Sequence, residues 1–491
     1  MLGLMGVLTI LYSTRWGVGI AHDSFGYLSG AENLLRGQGY SHVTGLGEVE
    51  PTTQWPPLFS LALTPFGFVG LSISEGARWI NALLFGINIL LVGYVVYRNT
   101  AFWPAIFASL IILTSVDLIR LHAIADSEPL YFFLGLGGLY FLDRYINTSK
   151  TYPLIISALL ISGATLTRYI GVTLIATLCI SILILGRRGL RHRLVDCFIA
   201  GVIGSLPLLL LVIRNVLVSG HVTSYLVSFH THLISARHFK QGLDTTSLWL
   251  LPESASFGLR ALTLVAVVLV MVLMIARLRK SIASSFWYLN LIYVFVYGLG
   301  LTLSIISVDP HIPYDTRYLS PVFPSIVLIL TLSLYRVFTK AQPAVRIAVT
   351  VLCVLLSVSY LERAVWVVHD IHQNGQGFES PAWQQLKIID SIKNLPGHVR
   401  IYSGVPLLVR FLSQREIREL PWKYNPATEK PSPDYLQKLQ EIGMTSQSER
   451  TVIVYLNWLP PYSPSADDLK KVLSLSEIET APDGRMYEVL H

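Results

Sequence analysis

The sequence predicts a polytopic α-helical membrane protein with a small C-terminal α/β domain. Of its 491 residues, 52% are hydrophobic and 14% are charged, whereas a soluble domain carries about 25% charged residues. Apolar segments of membrane-spanning length recur up to about residue 362 and then stop. Beyond that point, short apolar runs alternate with amphipathic ones, which is typical of an α/β fold. We therefore predict a membrane domain over residues 1–362 and an α/β domain over residues 363–491.

The membrane domain contains eleven candidate spans. A helix needs roughly 20 mostly apolar residues to cross a bilayer. The segments that approach or meet this length are residues 2–20, 78–97, 101–119, 129–146, 152–167, 169–186, 196–218, 258–276, 285–306, 318–336 and 344–361. The first lacks the basic start and small-residue cleavage site of a signal peptide, so we expect it to be retained. Residues 57–72 are apolar but short and interrupted by Pro65, which favours an interfacial or re-entrant segment.

Basic residues indicate the orientation. If the N-terminus is cytoplasmic, Lys and Arg cluster in cytoplasmic loops, as at residues 187–193 and 277–280. The opposite side carries isolated arginines near span ends: Arg36, Arg78, Arg120, Arg168, Arg214, Arg237, Arg260 and Arg317. Residues 21–77 then form the first outer loop, with an amphipathic segment at 22–40. An odd number of spans puts the C-terminal domain on the same extracytoplasmic side of the cell membrane.

Composition excludes several other classes of protein. The net charge of +7 comes largely from short loops between apolar segments, so we expect no nucleic-acid binding. Cys179, Cys197 and Cys353 all fall in apolar segments, so a disulfide framework is not indicated.

The C-terminal domain has recognisable elements. HVRIYSG and RTVIVYL predict short buried strands, and VPLLVRFLSQ and SPDYLQKLQEIG predict helices, the second ending at its Gly. IETAPDGRMYEVL predicts a hairpin that turns at Asp483-Gly484.

Acidic residues gather at the outer ends of the predicted spans. Asp23 opens the first outer loop, Asp126 and Glu128 lie in the loop before the fourth span, and Asp309 and Asp315 precede the tenth. A carboxylate at a membrane boundary costs free energy unless it is paired, hydrated or used in chemistry. Helix capping is an alternative explanation for the acids before Pro129. Snorkelling towards lipid head groups is the alternative for Arg317.

Several segments occur in the order and spacing of a known group of membrane enzymes. They are Asp23 with Tyr27, AENLLRGQGY, QWPPLFSLALTPFGFVG, GARWINALLFGINILLVGYVVYR, ADSEPLYFFL, TLTRYIG and DTRYLSPVFP. Together they resemble the GT-C glycosyltransferases that use polyprenyl-phosphate sugars, a group that includes protein O-mannosyltransferases and lipid A aminoarabinose transferases. The similarity covers residues 1–340. The chain lacks the Trp-Trp-Asp motif of oligosaccharyltransferases, so close kinship with those enzymes is not expected.

The resemblance implies transfer of a sugar from a polyprenyl-phosphate donor to an extracytoplasmic acceptor, with inversion. It implies catalytic roles for Asp23 and Asp126 and a phosphate-binding role for Arg317. Further substrate-binding candidates are Tyr318, Glu128, Tyr27, His22, Arg78 and Arg168. Relatives carry a basic residue just before the prolines that follow Trp55, where this chain has none, and Arg78 or Arg168 would take its place.

Some alternatives stay open at this stage. Asp126 and Glu128 could hold a divalent metal, and the loop with His230, His232 and His238 could bind zinc or simply be solvated. A ligase of O-antigen type, which normally depends on one large outer loop, is a different enzyme to consider. A flippase for a lipid-linked sugar is the non-enzymatic alternative. Transporters commonly contain internal repeats, and none is visible in this sequence. The acceptor is a glycan, a lipid or a protein.

Overall fold

The computed structural model describes residues 1–223, 236–278, 284–307, 312–425, 430–460 and 462–490. The helices, in chain order, are α1 (Leu2–Ser13), α2 (His22–Leu35), α3 (Leu58–Phe68), α4 (Ile73–Asn99), α5 (Phe102–Leu113), α6 (Val116–His122), α7 (Glu128–Thr148), α8 (Thr151–Thr167), α9 (Val172–Leu185), α10 (Leu190–Ser219), α11 (Ala236–Leu248), α12 (Phe257–Leu278), α13 (Ser285–Ser307), α14 (Thr316–Leu319), α15 (Phe323–Lys340), α16 (Pro343–Asn374), α17 (Pro381–Gln384), α18 (Lys387–Asn394), α19 (Pro406–Ser413), α20 (Tyr435–Ser446) and α21 (Ala466–Lys470). The strands are β1 (Ser41–Val43), β2 (Val49–Pro51), β3 (Arg400–Ser403), β4 (Arg418–Glu419), β5 (Thr451–Leu456), β6 (Leu475–Ala481) and β7 (Gly484–Val489).

The chain folds into two compact units. The helical unit comprises Met1–Val18 and Thr53–Gln373, and the mixed unit comprises Gly19–Thr52 and Asn374–His491. This division differs from the predicted domains in two respects. First, α16 continues through the expected boundary at residue 362 and ends at Asn374. Second, much of the first outer loop belongs with the C-terminal residues, because it pairs with them through the backbone.

Each predicted span coincides with a helix or a pair of helices, but the count of eleven spans is not confirmed. Among the described residues, five helices are long and apolar enough to cross a membrane, and a sixth is obtained if α5 and α6, bent by 58°, form one broken span. The remaining apolar helices, such as α1, α3 and α8, are shorter. α3 occupies the apolar segment around Pro65 for which an interfacial position is predicted.

Small residues bring the helices of the helical unit close together. A Cβ atom at Gly86 of α4 would lie 2.6 Å from the carbonyl oxygen of Gly3 in α1. Between α7 and α8, the Ser157 hydroxyl donates to the Gly138 carbonyl at 2.8 Å. Such contacts matter in a membrane because helices there associate through close packing and interhelical hydrogen bonds rather than through the hydrophobic effect.

The mixed unit is built on a five-stranded sheet in the order β4-β3-β5-β7-β6. β4, β3 and β5 are parallel, whereas β7 runs antiparallel to β5 and β6 antiparallel to β7. The strands predicted from HVRIYSG and RTVIVYL and the hairpin at Asp483-Gly484 are confirmed. The predicted stop at Gly443 is wrong, because α20 continues to Ser446.

Backbone and aromatic contacts join the first outer loop to the C-terminal part of the mixed unit. The Phe378 amide donates to the Ile20 carbonyl at 2.8 Å, and the Ile417 amide donates to the Gly45 carbonyl at 2.9 Å. The ring of Phe25, in α2, stacks on that of Phe378 with centroids 5.8 Å apart. Gly377 is required here because its φ is +62° and a Cβ would lie 2.2 Å from the Ile20 carbonyl oxygen.

Candidate active site

A buried carboxylate lies at the centre of a charged cluster in the helical unit. Glu128 begins α7, and its side chain has no solvent exposure. Arg317 Nε donates to Glu128 Oε1 at 2.5 Å, and Arg168 Nη1 pairs with the same oxygen atom. Burying a carboxylate this deeply without a partner would cost roughly several kcal/mol of desolvation free energy. Two guanidinium groups offset that cost here, so Glu128 holds both arginines in fixed positions.

Local structure presents each arginine at a helix end. Arg168 ends α8 with an extended backbone, φ −149° and ψ 133°. Arg317 lies in the short helix α14, whose N-cap is Asp315. Asp315 Oδ1 accepts the backbone N–H groups of Arg317 at 2.9 Å and Tyr318 at 3.2 Å. Burial raises the pKa of Asp315, and these backbone hydrogen bonds oppose the rise.

Asp126 joins the same cluster. Its Oδ2 lies 3.5 Å from Arg317 Nη2, and its side chain is only 3% exposed. The preceding turn is held by Asn81, whose amide donates to the Ile124 carbonyl at 2.6 Å. Deep burial beside an arginine favours an anchoring role for Asp126 over the catalytic role predicted from the sequence. The same reasoning applies to Glu128. The sequence predicts that it binds substrate, whereas in the structure it pairs with two arginines.

Two other predicted binding residues have structural contacts. The Tyr318 carbonyl accepts a hydrogen bond from the Tyr297 hydroxyl at 2.8 Å, and the Tyr318 ring lies 6.0 Å from the Arg317 guanidinium carbon. Arg78 Nε donates to Thr14 Oγ1 at 3.0 Å, and its Nη2 donates to the Leu11 carbonyl at 3.0 Å. These bonds fix the end of α1, which favours a structural role for Arg78.

Asp23, His22 and Tyr27 belong to the mixed unit. Asp23 lies in the first turn of α2, where the helix dipole stabilises a negative charge. Its side chain is 22% exposed, and its Oδ1 is 3.8 Å from Nδ1 of His22, which is 68% exposed. Tyr27 is buried. Asp23 is therefore more accessible to solvent than Asp126 or Glu128. A group that exchanges protons with a substrate needs such access.

Sequence reasoning missed a further carboxylate, the half-buried Asp117. Its Oδ2 accepts the Trp249 indole N–H at 2.9 Å, and its Oδ1 accepts the Thr316 hydroxyl at 3.4 Å. Thr316 precedes Arg317, so Asp117 helps to fix the helix that carries this arginine. An acidic residue inside the apolar run VDLIRLH was the available signal.

The structure describes part of the predicted metal-binding sets. His230 and His232 lie outside the described residues, as does Asp309 from the predicted acidic set of the outer face. The His238 ring packs edge-on against Tyr314, with centroids 6.2 Å apart. Within the described part of the chain, no group of three or more His, Cys, Asp or Glu side chains could hold a metal ion.

The architecture around this cluster is that of the GT-C glycosyltransferases, as solved structures show. ArnT from Cupriavidus metallidurans, bound to undecaprenyl phosphate, superposes with a TM-score of 0.58 at 12% identity, over 99% of this chain and 97% of that one. The Archaeoglobus fulgidus oligosaccharyltransferase in its apo form gives 0.55 at 11% identity, over 99% and 74%. The arabinofuranosyltransferase AftD from Mycobacteria gives 0.51 at 14% identity, over 99% and 41%.

These similarities confirm the predicted GT-C fold, including its resemblance to an aminoarabinose-transferase-type enzyme. No protein-family model matches the sequence, and no curated protein matches it. At identities this low, the structural similarity shows the fold alone.

Proposed function

We propose that this chain is a membrane glycosyltransferase that moves a sugar from a polyprenyl-phosphate donor to an acceptor on the extracytoplasmic side, with inversion. The observation that carries the proposal is the placement of Arg168 and Arg317 on one buried carboxylate, Glu128. A guanidinium has five N–H donors and binds phosphate well, and the Arg317 side chain stays 26% exposed although its Nε pairs with Glu128 and its Nη2 with Asp126. The undecaprenyl phosphate held by ArnT is a lipid phosphate of the required kind.

In the proposed reaction, the acceptor hydroxyl attacks the anomeric carbon from the side opposite the phosphate. Asp23 accepts the hydroxyl proton while the new glycosidic bond forms. The bond between the anomeric carbon and the phosphate oxygen breaks, and its electron pair leaves with the polyprenyl phosphate. Arg317, supported by Arg168, stabilises the leaving phosphate. General-base assistance of this kind contributes roughly 10²–10⁴-fold to a rate.

The other acidic residues have supporting roles in this proposal. Glu128 and Asp126 orient the arginines, and Asp315 fixes the helix that carries Arg317. His22, next to Asp23, contacts the acceptor or the base. Both Asp23 and the C-terminal domain lie outside the cytoplasm in this scheme.

The test compares lipid-linked sugars and surface glycans by mass spectrometry in a strain that lacks the gene. We expect one glycosyl-lipid to accumulate and one glycan, glycolipid or glycoprotein to lose a sugar. Wild type should reverse both changes, whereas Asp23→Asn should reverse neither. Glu32→Gln is the matched control, since Glu32 lies on the same helix, is 47% exposed and pairs only loosely with Arg36 at 3.6 Å. Restoration of the missing sugar by Asp23→Asn would overturn the proposal and favour a flippase.

A further inference from the structure

The mixed unit contains a groove that the transfer reaction described above does not use. Its volume is about 630 Å³, and its walls come from strands β3 and β4, the residues that follow β4, and helix α20 with the three residues before it. Small-molecule sites typically occupy about 300–1,000 Å³. All the residues that line the groove belong to the C-terminal part of the mixed unit.

One wall of the groove is an oriented aromatic side chain. Trp422 is 37% exposed, and its indole N–H donates to Glu419 Oε1 at 2.8 Å. The Tyr462 ring supports it, with centroids 5.3 Å apart. A large exposed ring held by a hydrogen bond and a second ring loses little conformational entropy on binding. Such a ring suits the apolar C–H face of a pyranose.

The groove also contains an arginine without a fixed anionic partner in the described part of the chain. Among the basic residues that line it, Arg400 pairs with Glu449, and Lys438 pairs with Asp434 at 2.6 Å. The Arg418 side chain makes no hydrogen bond or ion pair with a described residue. A half-buried guanidinium in a groove is well suited to bidentate binding of a carboxylate or phosphate.

The β4 wall of the groove lies beside the first outer loop, because the Ile417 amide, next to Arg418, donates to the Gly45 carbonyl at 2.9 Å. The ring of Phe25, in α2, packs on Phe411 with centroids 5.3 Å apart.

Burial raises the pKa of Glu419, and the hydrogen bond from Trp422 and the charges of His22 and Lys438 oppose that rise. His22 precedes Asp23 in the chain, and all these residues lie in the same unit. A ligand in the groove would therefore lie in the same unit as the proposed base, beside the loop that carries it.

We infer that this groove binds the acceptor, and that the acceptor is an anionic saccharide. A pyranose stacks on Trp422, a carboxylate or phosphate on the saccharide binds Arg418, and the chain of sugars leads towards Asp23. That the bound saccharide is the acceptor rests on the proposed function. That the groove binds an anionic saccharide does not depend on it.

Binding of saccharides to the purified full-length chain in detergent, without donor, tests the inference by titration calorimetry. The probes are trigalacturonic acid, neutral maltotriose, and glucose 6-phosphate, which separates a phosphate from a carboxylate as the anion. We expect at least one anionic probe to bind about tenfold tighter than maltotriose. Arg418→Gln should abolish that preference, and Trp422→Ala should weaken all binding.

Arg485→Gln is the matched control, because Arg485 is a 53% exposed arginine of the same unit outside the groove. It should leave the preference unchanged. The inference would be overturned if Arg418→Gln kept the preference for the anionic probe, or if no probe bound measurably. The preference is measured as a ratio of affinities because a partly unfolded sample does not change that ratio. Asp23→Asn should bind the probes as wild type does. If Asp23→Asn restored glycan synthesis in the deletion strain, the transferase proposal would fail while this binding result stood.

Discussion

Glu128 and Asp23 are both carboxylates in the first turn of a helix, yet their surroundings are opposite. Glu128 has no exposed side-chain surface and pairs with two arginines. Asp23 is 22% exposed, and Nδ1 of His22, whose side chain is largely in solvent, lies 3.8 Å from its Oδ1. The comparison teaches that the same sequence signal, an acid at a membrane-proximal helix start, arises from two tasks. One acid pairs with two arginines inside the protein, and the other is partly exposed, as the proposed catalytic base must be.

Replacing the Glu128 carboxylate with an amide should have the largest effect on stability. Glu128→Gln leaves two guanidinium groups around a neutral side chain, and breaking a buried ion pair from one side typically costs about 3–5 kcal/mol. We expect a large fall in the melting temperature of the detergent-solubilised chain, together with loss of transfer.

The matched change at the other site is Asp23→Asn, which should lower the free energy of unfolding by much less than Glu128→Gln does, because Asp23 is partly exposed and asparagine keeps its shape. Equal stability of Glu128→Gln and wild type would contradict the contrast between the two carboxylates.

The sequence was sufficient for features that depend on local pattern. Apolar length located the helices, alternating apolar runs located β3 and β5, and Asp483-Gly484 located the hairpin. Asp23 stood out because it follows an apolar run and opens an amphipathic helix. Each of these signals lies within a short window of the chain.

Features that depend on distant contacts could not be predicted in the same way. Arg168 and Arg317 are far from Glu128 in the sequence, yet both pair with it. The sequence therefore could not show that this acid orients two arginines. The membership of residues 19–52 in the mixed unit depends on pairing with residues beyond 374. The continuation of α16 past residue 362, by contrast, had a local signal, because no Gly or Pro follows Pro343 until Gly375.

The join between the first outer loop and the C-terminal residues provides a second, smaller test. In Gly377→Ala the new methyl group would meet the Ile20 carbonyl oxygen in a backbone conformation with positive φ. We expect a loss of more than about 1 kcal/mol and faster proteolysis within residues 19–52. Gly397→Ala is the control, because a Cβ there would meet no atom within 4 Å. Identical proteolysis of the two variants would show that this contact does not hold the segment.

The cap of the helix that carries Arg317 should give the smallest effect. Asp315→Ala removes the acceptor of two backbone N–H groups, which typically costs about 1 kcal/mol. Asp315→Asn keeps a good N-cap and should stay closer to wild type. Thermal unfolding of the two variants measures the difference, and a reversed order would argue against the capping role.

The division of labour between the two sites is tested most directly by the affinity of the purified chain for undecaprenyl phosphate. We expect Arg317→Gln to weaken binding by at least about tenfold, because a charge-assisted contact to the phosphate is lost. Asp23→Asn should bind this lipid as tightly as wild type does, since its carboxylate acts on the acceptor. Wild-type affinity in Arg317→Gln, or an equal loss in Asp23→Asn, would contradict the account.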